Sequence, residues 1–258
     1  MENERLGEEN YNNFGTLMKI VEYKNAKDII VEFQDEHKIK IHTRYGDFKR
    51  GKIKNPYDKS VYGVGYVGEG KYKSRVNGKI TEVYNTWCNM LKRCYDPYYL
   101  NKCPTYIDCY VCKEWHNFQT FAKWFYKNYY EIEGERMELD KDILCKGNKI
   151  YSPDTCILVN NRINLLFVKN DKLRGEYPIG VCWYKSKNKF RAYCKILDKK
   201  NNKQIYLGLY NTVEEAFLAY KNFKENYIKQ IADEYYSKGL IPTKLYDAMY
   251  KYEVEIND

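Results

Sequence analysis

The segment 177–220 limits the possible folds more than any other part of the chain. Its middle stretch, 189–196, alternates strictly between apolar and polar side chains, which is typical of a half-buried β-strand. One face then carries Phe190, Ala192, Cys194 and Ile196, and the other carries Arg191, Tyr193 and Lys195. Cations mixed with flat rings favour a nucleic-acid ligand, because cations bind phosphates and rings stack on bases or sugars. The alternative is an ordinary solvated sheet face.

Two further strands and a helix complete the predicted unit. The remaining elements are expected as strands at 180–184 and 204–210, a turn at 186–188 and a polar connection at 198–202. Thr212 and Glu215 have the spacing of a capping box, in which both side chains satisfy free amides at a helix start. The helix then carries a stripe that we expect to cover the sheet, formed by Ala216, Tyr220, Phe223 and Tyr227.

Positive charge is concentrated in the same part of the chain. Residues 169–229 contain 14 Lys or Arg against 6 Asp or Glu, a balance of +8, whereas the whole chain carries +9. Such a cluster releases counterions when it neutralises phosphates, so it gives salt-sensitive affinity that does not depend on base sequence. A membrane-surface role would need a basic helix with an apolar face, whereas these cations lie mainly on strands.

Four motifs of this segment resemble one DNA-binding family. They are Gly-Val-x-Trp at 180–183, Lys-Phe-Arg-Ala at 189–192, Tyr-Leu-Gly-x-Tyr-x-Thr-x-Glu-Glu-Ala at 206–216 and Ala-Tyr at 219–220. Together they resemble the Apetala/ethylene-response-factor type DNA-binding domain in its phage and bacterial form. The resemblance covers about a fifth of the chain. It implies a three-stranded sheet in the major groove with the helix packed behind it.

The resemblance also implies contacts with duplex DNA. Strand positions that touch DNA in that family match Cys182, Tyr184, Tyr193, Lys195, Gln204 and Tyr206, with Arg191 as an outward-facing neighbour. With the lysines of the turn, the candidate nucleic-acid-binding residues are Tyr184, Lys185, Lys187, Arg191, Tyr193, Lys195, Gln204 and Tyr206. Several arginines of the family are absent, so its base specificity does not carry over.

Length and composition bound the rest of the molecule. A chain of 258 residues with 44% hydrophobic side chains can hold two or three small domains. No window approaches the ~18 apolar residues of a membrane span, and the acidic start is unlike a signal peptide. We therefore expect a cytoplasmic protein with no membrane partner, in the host cytoplasm if a phage encodes it.

The predicted fold class is α+β, in four parts. They are a small β-barrel-like domain at 1–60, a helical plus ββα domain at 61–168, the three-stranded sheet packed on one helix at 169–231, and a helical tail at 232–258. The barrel, of the Src-homology-three or Tudor kind, rests on short alternating strands at 18–23, 29–33 and 38–41. We expect a docking role for it.

The central part combines helices with a strand pair. Helices are predicted at 81–94 and 115–128, strands at 137–143 and 156–159, and a short helix at 160–167. Strand, loop, strand and helix in this order form the skeleton of the ββα-metal nuclease site. The aromatic stripe of the second helix, with Phe118, Phe121 and Phe125, is expected to form core and not to stack on bases.

Motifs of this central part resemble HNH-type endonuclease-like proteins of phages, many of which carry an appended DNA-binding domain of the kind above. The motifs are Trp-x-x-Met-x-x-Arg-Cys-Tyr at 87–95, Val-Cys-x-Glu-Trp at 111–115, Leu-Asp at 139–140 and Tyr-Ser-Pro-x-x-Cys at 151–156. The resemblance covers about residues 62–167. It implies a divalent metal, Mg²⁺ or Mn²⁺, and a His that deprotonates the attacking water.

The candidate catalytic residues are Asp140, Asp142, Asn148, Asn164 and His116. Lys141 stands where the general-base His is expected, and a lysine ammonium at its normal pKa cannot accept that proton. Three alternatives follow. His116 approaches from the preceding segment, or Asp140 and Asp142 hold a metal that activates water directly, or the centre is inactive.

Cysteine spacing indicates a further metal site. Cys109 and Cys112 have the spacing of half a structural zinc site, which Cys103 or Cys145 could also help to complete. The candidate zinc ligands are Cys94, Cys109, Cys112 and Cys156. Buried, reduced thiols are the alternative.

Two functional classes follow. In the first, the chain is a homing-type endonuclease that its basic domain places on duplex DNA. In the second, it is a non-catalytic binder, either a phage regulator or an inhibitor of a host defence nuclease such as a CRISPR effector. RNA or a ribonucleoprotein defence complex would then be a further partner, and the oligomeric state stays open.

Overall fold

The computed structural model describes residues 5–168, 175–197 and 202–256. Within them the chain is mixed α/β, with several separate sheets and seven α-helices. It divides into two compact units. The first unit is Met1–Lys127 with Lys149–Tyr151, and the second unit is Asn128–Asn148 with Ser152–Asp258.

The first unit begins with a four-stranded antiparallel sheet. Its strands are β1 (Glu9–Tyr11), β2 (Leu17–Asn25), β3 (Asp28–Phe33) and β4 (Lys40–Thr43), in that spatial order, followed by helix α1 (Tyr45–Lys49). Alternation buries one face of β2 and β3, where Met18, Ile20, Val31 and Phe33 are 0–1% exposed. The sheet is open, with β1 and β4 as its edges. The predicted strands are confirmed, but the predicted closure into a barrel is wrong.

The rest of the first unit is built around two helices. Its elements are β5 (Arg75–Val76), β6 (Lys79–Ile80), α2 (Glu82–Tyr95), α3 (Pro97–Lys102), β7 (Tyr110–Val111), α4 (Phe118–Asn128) and β9 (Ile150–Tyr151), which pairs with β7 in parallel. Thr81 caps α2 by accepting a hydrogen bond from the Tyr84 amide. The Trp87 indole donates to the Trp115 carbonyl at 2.7 Å, and both tryptophans are fully buried. The aromatic stripe of α4 is core, as predicted, since Phe118, Phe121 and Phe125 are 0–2% exposed.

The second unit contains the predicted strand–loop–strand–helix segment. β8 (Met137–Asp140) pairs with β10 (Ile157–Asn160) in antiparallel register, Leu139 opposite Leu158, and α5 (Asn161–Phe167) follows. This segment shares one core with the end of the long helix α6 (Val213–Ser237) and with α7 (Thr243–Tyr250), through Val159, Ile163, Ile228 and Leu245 among others. α6 is continuous across residues 231 and 232, so the helical tail predicted at 232–258 begins inside this helix.

The second unit also contains the three-stranded antiparallel sheet. It is formed by β11 (Val181–Tyr184), β12 (Lys189–Leu197) and β13 (Asn202–Tyr210), with β12 in the middle. The first half of α6 packs on one face of this sheet. The predicted strands and helix are confirmed, while most of the predicted connection at 198–202 lies outside the described residues. None of the helices in the described ranges has both the length and the apolar character needed to cross a membrane.

Candidate nucleic-acid interface

Strand register decides which side chains of the three-stranded sheet share a face. Cys182 lies opposite Arg191 and Tyr184 opposite Lys189, while Tyr193 lies opposite Tyr206. Because side chains alternate along a strand, all of these point away from α6. We call this surface the outward face, and it consists of Cys182, Tyr184, Lys189, Arg191, Tyr193, Lys195, Gln204, Tyr206 and Leu209.

Arg191 lies at the centre of the outward face between two aromatic rings. Its guanidinium carbon is 5.3 Å from the ring centre of Tyr184 and 5.8 Å from that of Tyr193, which are cation–π distances. A hydrogen bond with the Cys182 sulfur raises the pKa of Arg191 further, so the side chain stays charged. Its Nε–H is buried and has no hydrogen-bond partner among the described residues, whereas the guanidinium as a whole lies between the two rings. A planar donor held between rings is suited to a phosphate or to a guanine edge.

The opposite face fixes the sheet on α6. Ala192 and Cys194 are buried against Ala216 and Tyr220 of the helix, which lets the two elements approach closely. The capping box is present: Thr212 Oγ1 accepts from the Glu215 amide at 3.2 Å, and the Glu215 carboxylate accepts from the Thr212 amide at 3.3 Å. The start of α6 is thereby set by local sequence. Of the predicted stripe, Tyr227 packs instead against the other core of the second unit.

A bulge changes the outward face near the end of β13. Simple alternation from Gln204 would leave Leu209 on the helix side, but the register shifts between Ala192 and Tyr193, so Leu209 faces outward opposite Arg191. Gly208, at φ +136°, supplies the backbone conformation that this shift needs. Sequence reasoning missed Leu209 on this surface. A glycine inside a strand pattern was the available signal.

The turn between β11 and β12 extends the basic surface. A 3₁₀ turn spans Lys185–Lys187, and Asn188 adopts a left-handed conformation at φ 51° before β12 begins. Lys185 and Lys187 are both exposed. Tyr206 on the third strand is 61% exposed. All eight candidate binding residues thus lie on the outward face or on the adjoining turn, and their contact with DNA stays a prediction.

Residues 177–230 match the AP2 domain family, whose members are DNA-binding domains. The match coincides with the three-stranded sheet and the half of α6 that packs on it. The predicted domain of this type is confirmed, and it supports DNA binding by this part of the chain. No curated protein and no solved structure matched the chain. The resemblance of the central part to HNH-type proteins therefore stays a prediction.

The end of β8 and the loop after it contain three of the five candidate catalytic residues, and Lys141 organises this loop. Its ammonium lies 2.8 Å from both carboxylate oxygens of Asp142 and also donates to the Asn148 carbonyl. The Asn148 side-chain amide donates back to the Lys141 carbonyl at 2.9 Å. Lys141 is only 8% exposed. The ammonium thus holds a carboxylate and a carbonyl together from within the loop.

Asp140 is engaged with the backbone of the same loop. Its Oδ1 accepts hydrogen bonds at 2.7 Å from the amides of Asp142 and Ile143. Burial raises the pKa of Asp140 above the usual carboxyl value, although these two hydrogen bonds act in the opposite direction. These two hydrogen bonds stabilise the turn, and the metal role that the HNH resemblance implies for Asp140 stays a prediction.

The remaining catalytic candidates lie on other elements. Asn164 is half-buried on α5 in the second unit. His116 belongs to the first unit, where its Nε2 lies 3.5 Å from the Tyr95 hydroxyl and burial lowers its pKa. A neutral imidazole is available there at pH 7. Whether His116 takes part in chemistry at the β8 loop stays a prediction.

The candidate zinc ligands are cysteines that form no disulfide. All nine cysteines lie in described residues and none forms a disulfide. Cys94, Cys109 and Cys112 belong to the first unit and Cys156 to the second. Burial raises the pKa of the Cys112 thiol to about 11, so the metal-free side chain is protonated at neutral pH. In the part of the chain that the structure describes, no three His, Cys, Asp or Glu side chains form a group that could hold a metal ion.

Proposed function

We propose that this protein binds duplex DNA through the outward face and does not cut it. The observation that carries the proposal is the AP2 domain match at residues 177–230, with a charged Arg191 held between Tyr184 and Tyr193 at the centre of that face. β12 then enters the major groove. Lys195 and the turn lysines contact phosphates on either side of it.

The roles of the side chains differ in this arrangement. Arg191 is the candidate for reading a base edge, because its guanidinium is planar and lies between two rings on the outward face. Tyr184 and Tyr206 offer flat, exposed rings to sugars or bases. Lys185 and Lys187 supply salt-sensitive attraction without base preference.

Equilibrium binding to a randomised duplex pool tests the proposal. The double variant Arg191→Ala, Lys195→Ala should bind about ten-fold more weakly or worse, on about 1 kcal/mol for each charge-assisted contact. A matched control removes the same charge from exposed lysines elsewhere in the second unit, Lys238→Ala with Lys251→Ala. Equal affinities of the double variant and the control would take the outward face out of the interface.

Binding without cleavage is supported by the β8 loop. Lys141 replaces the expected general base, and its ammonium already binds Asp142 and the Asn148 carbonyl. Incubation of the DNA complex with Mg²⁺ or Mn²⁺ should therefore leave the duplex intact. Metal-dependent cutting that Asp140→Asn abolishes, with binding retained, would contradict this part of the proposal and support the HNH-type prediction.

Such a binder has two alternative uses. It is a phage regulator, or it is an inhibitor of a host defence nuclease such as a CRISPR effector, with RNA or a ribonucleoprotein defence complex as its partner. They stay predictions. Sequencing of the duplexes that the protein retains from the randomised pool discriminates between these two uses. A regulator should enrich one sequence, whereas an inhibitor of a protein complex should enrich none.

A further inference from the structure

A basic hairpin projects from the first unit, far along the chain from the AP2 domain. We define the basic hairpin as residues 71–80, which contain β5, β6 and the Asn77-Gly78 turn between them. Arg75 pairs with Ile80 and Val76 with Lys79, and both turn residues have positive φ, at 50° and 76°. This is the geometry of a two-residue hairpin turn.

The charge of the basic hairpin is entirely of one sign. It contains Lys71, Lys73, Arg75 and Lys79, and the sequence from 70 to 81 contains no Asp or Glu. All four cations are exposed, and none forms a salt bridge with another described residue. Two apolar side chains at the tip, Val76 and Ile80, are also exposed, at 52% and 50%. An isolated two-stranded hairpin is at best marginally stable in water.

The base of the basic hairpin is nevertheless firmly attached. Gln119 of α4 donates to the Tyr72 carbonyl at 2.9 Å and accepts from the Tyr72 amide at 3.0 Å. On the other strand, the Thr81 amide and hydroxyl donate to the carbonyls of Ser74 and Lys73, each at 3.0 Å. The ring of Tyr72 stacks on that of Tyr126 with centres 5.4 Å apart. Both ends are therefore held, and the charged tip is presented to solvent.

The helix that holds the basic hairpin adds to the charge. Lys123 and Lys127 follow Gln119 at successive spacings of four residues, and Tyr126 lies three residues after Lys123, so these side chains share one side of α4. Lys123 and Lys127 are exposed on it, beside the ring that stacks on Tyr72. Six cations thus accompany one stacked tyrosine pair on this side of the first unit.

A solvated surface explains single lysines, but it does not explain a short ribbon that combines four exposed cations with two exposed apolar side chains at its tip. A lipid surface would need more apolar area than two side chains provide. A narrow basic ribbon with small apolar side chains fits a groove of duplex DNA, where cations meet phosphates and apolar groups meet sugars.

We propose that the basic hairpin is a second DNA-binding element, which inserts into a groove of the duplex and contacts phosphates through Lys71, Lys73, Arg75 and Lys79. The proposal rests on the proposed function in so far as the ligand is duplex DNA. It adds a contact from the first unit that the AP2 domain does not contain.

The test compares two full-length variants with equal charge changes. The hairpin variant carries Gln in place of Lys71, Lys73, Arg75 and Lys79. The control variant carries Gln in place of four exposed lysines of the same unit, Lys27, Lys52, Lys54 and Lys59. Affinity for a 40-base-pair duplex at about 0.15 M salt should fall about ten-fold or more for the hairpin variant and much less for the control. The slope of log affinity against log salt should also become less steep by about 2 or more.

The outcomes separate this inference from the proposed function. If the hairpin variant and the control bind alike, the hairpin inference is wrong, and a loss in the Arg191→Ala, Lys195→Ala variant still supports the outward face. If only the hairpin variant is weakened, the hairpin stands and the outward face falls. Hairpin-dependent binding to anionic phospholipid vesicles, with unchanged DNA affinity, would assign the hairpin to a lipid surface and overturn the proposal. Equal melting temperatures of the variants confirm that folding is not the cause.

Discussion

Gly180 allows α6 to approach the start of the three-stranded sheet, so Gly180→Ala should be costly. The residue has φ +78°, and a Cβ built there lies 2.6 Å from Cε2 of Tyr220 and closer still to neighbouring ring atoms. The left-handed conformation costs an alanine about 1 kcal/mol, and overpacking of a buried contact costs about 1–3 kcal/mol. We expect a loss of about 2–4 kcal/mol in the free energy of unfolding of the second unit.

Gly239→Ala is the matched control for the cost of the left-handed backbone conformation. Gly239 lies in the same unit at φ +66°, but a Cβ there meets nothing within 4 Å. Gly239→Ala should therefore lower the free energy of unfolding by only about 1 kcal/mol. Scanning calorimetry should show the second unit of the Gly180→Ala protein melting about 4–12 °C below that of Gly239→Ala, at about 4 °C for each kcal/mol.

The contact with Tyr220 can be isolated by a double-mutant cycle. In a Tyr220→Leu background the ring is gone, so Gly180→Ala should cost little more than Gly239→Ala. The Gly180 carbonyl also accepts the Tyr193 amide at 2.9 Å, and faster exchange of that amide should accompany the lower melting temperature. Equal stability of the two single variants in the wild-type background would refute the close helix–sheet packing described here.

Three further predictions concern the β8 loop and the thiols. Lys141→Met should destabilise the second unit by about 1–3 kcal/mol more than exposed Lys238→Met, since it removes the ion pair with Asp142 and the hydrogen bond to the Asn148 carbonyl; denaturant unfolding measures the difference. Asp140→Asn keeps the acceptor oxygen, and because the folded pKa of Asp140 is raised, the wild type alone should lose stability as pH rises through it. From pH 4 to 8, the melting temperature of the wild type should therefore fall relative to that of Asp140→Asn. If zinc binds as predicted, elemental analysis finds about one ion per chain and Cys112→Ser lowers the melting temperature sharply, whereas zinc-free folded protein excludes it.

Sequence predicted the three-stranded sheet because three local signals agreed there. Alternation in 189–196, a turn at 186–188 and the Thr212–Glu215 capping box each rest on interactions within a few residues. The outward positions of Arg191 and Tyr193 followed directly. Leu209 did not, because its side depends on a bulge that pairs β13 with β12 across the sheet.

Features that depend on distant contacts were beyond sequence reasoning. The N-terminal strands were found, but whether β1 and β4 meet is decided by strand curvature and not by alternation. The sequence did not reveal that the Lys141 ammonium binds within its own loop, because one of its partners is the carbonyl of Asn148, seven residues away. The basic hairpin was missed for a similar reason, since its anchor, Gln119, lies more than forty residues later.

The salt dependence of duplex binding tests the central claim most directly. Each phosphate neutralised contributes about 0.9 to the slope of log affinity against log salt concentration. The wild-type protein should show a steep slope, and Arg191→Ala with Lys195→Ala should reduce its magnitude by about 1–2 and weaken binding at every salt concentration. Superimposable curves for the two proteins, or a wild-type affinity that does not change with salt, would contradict DNA binding through the outward face.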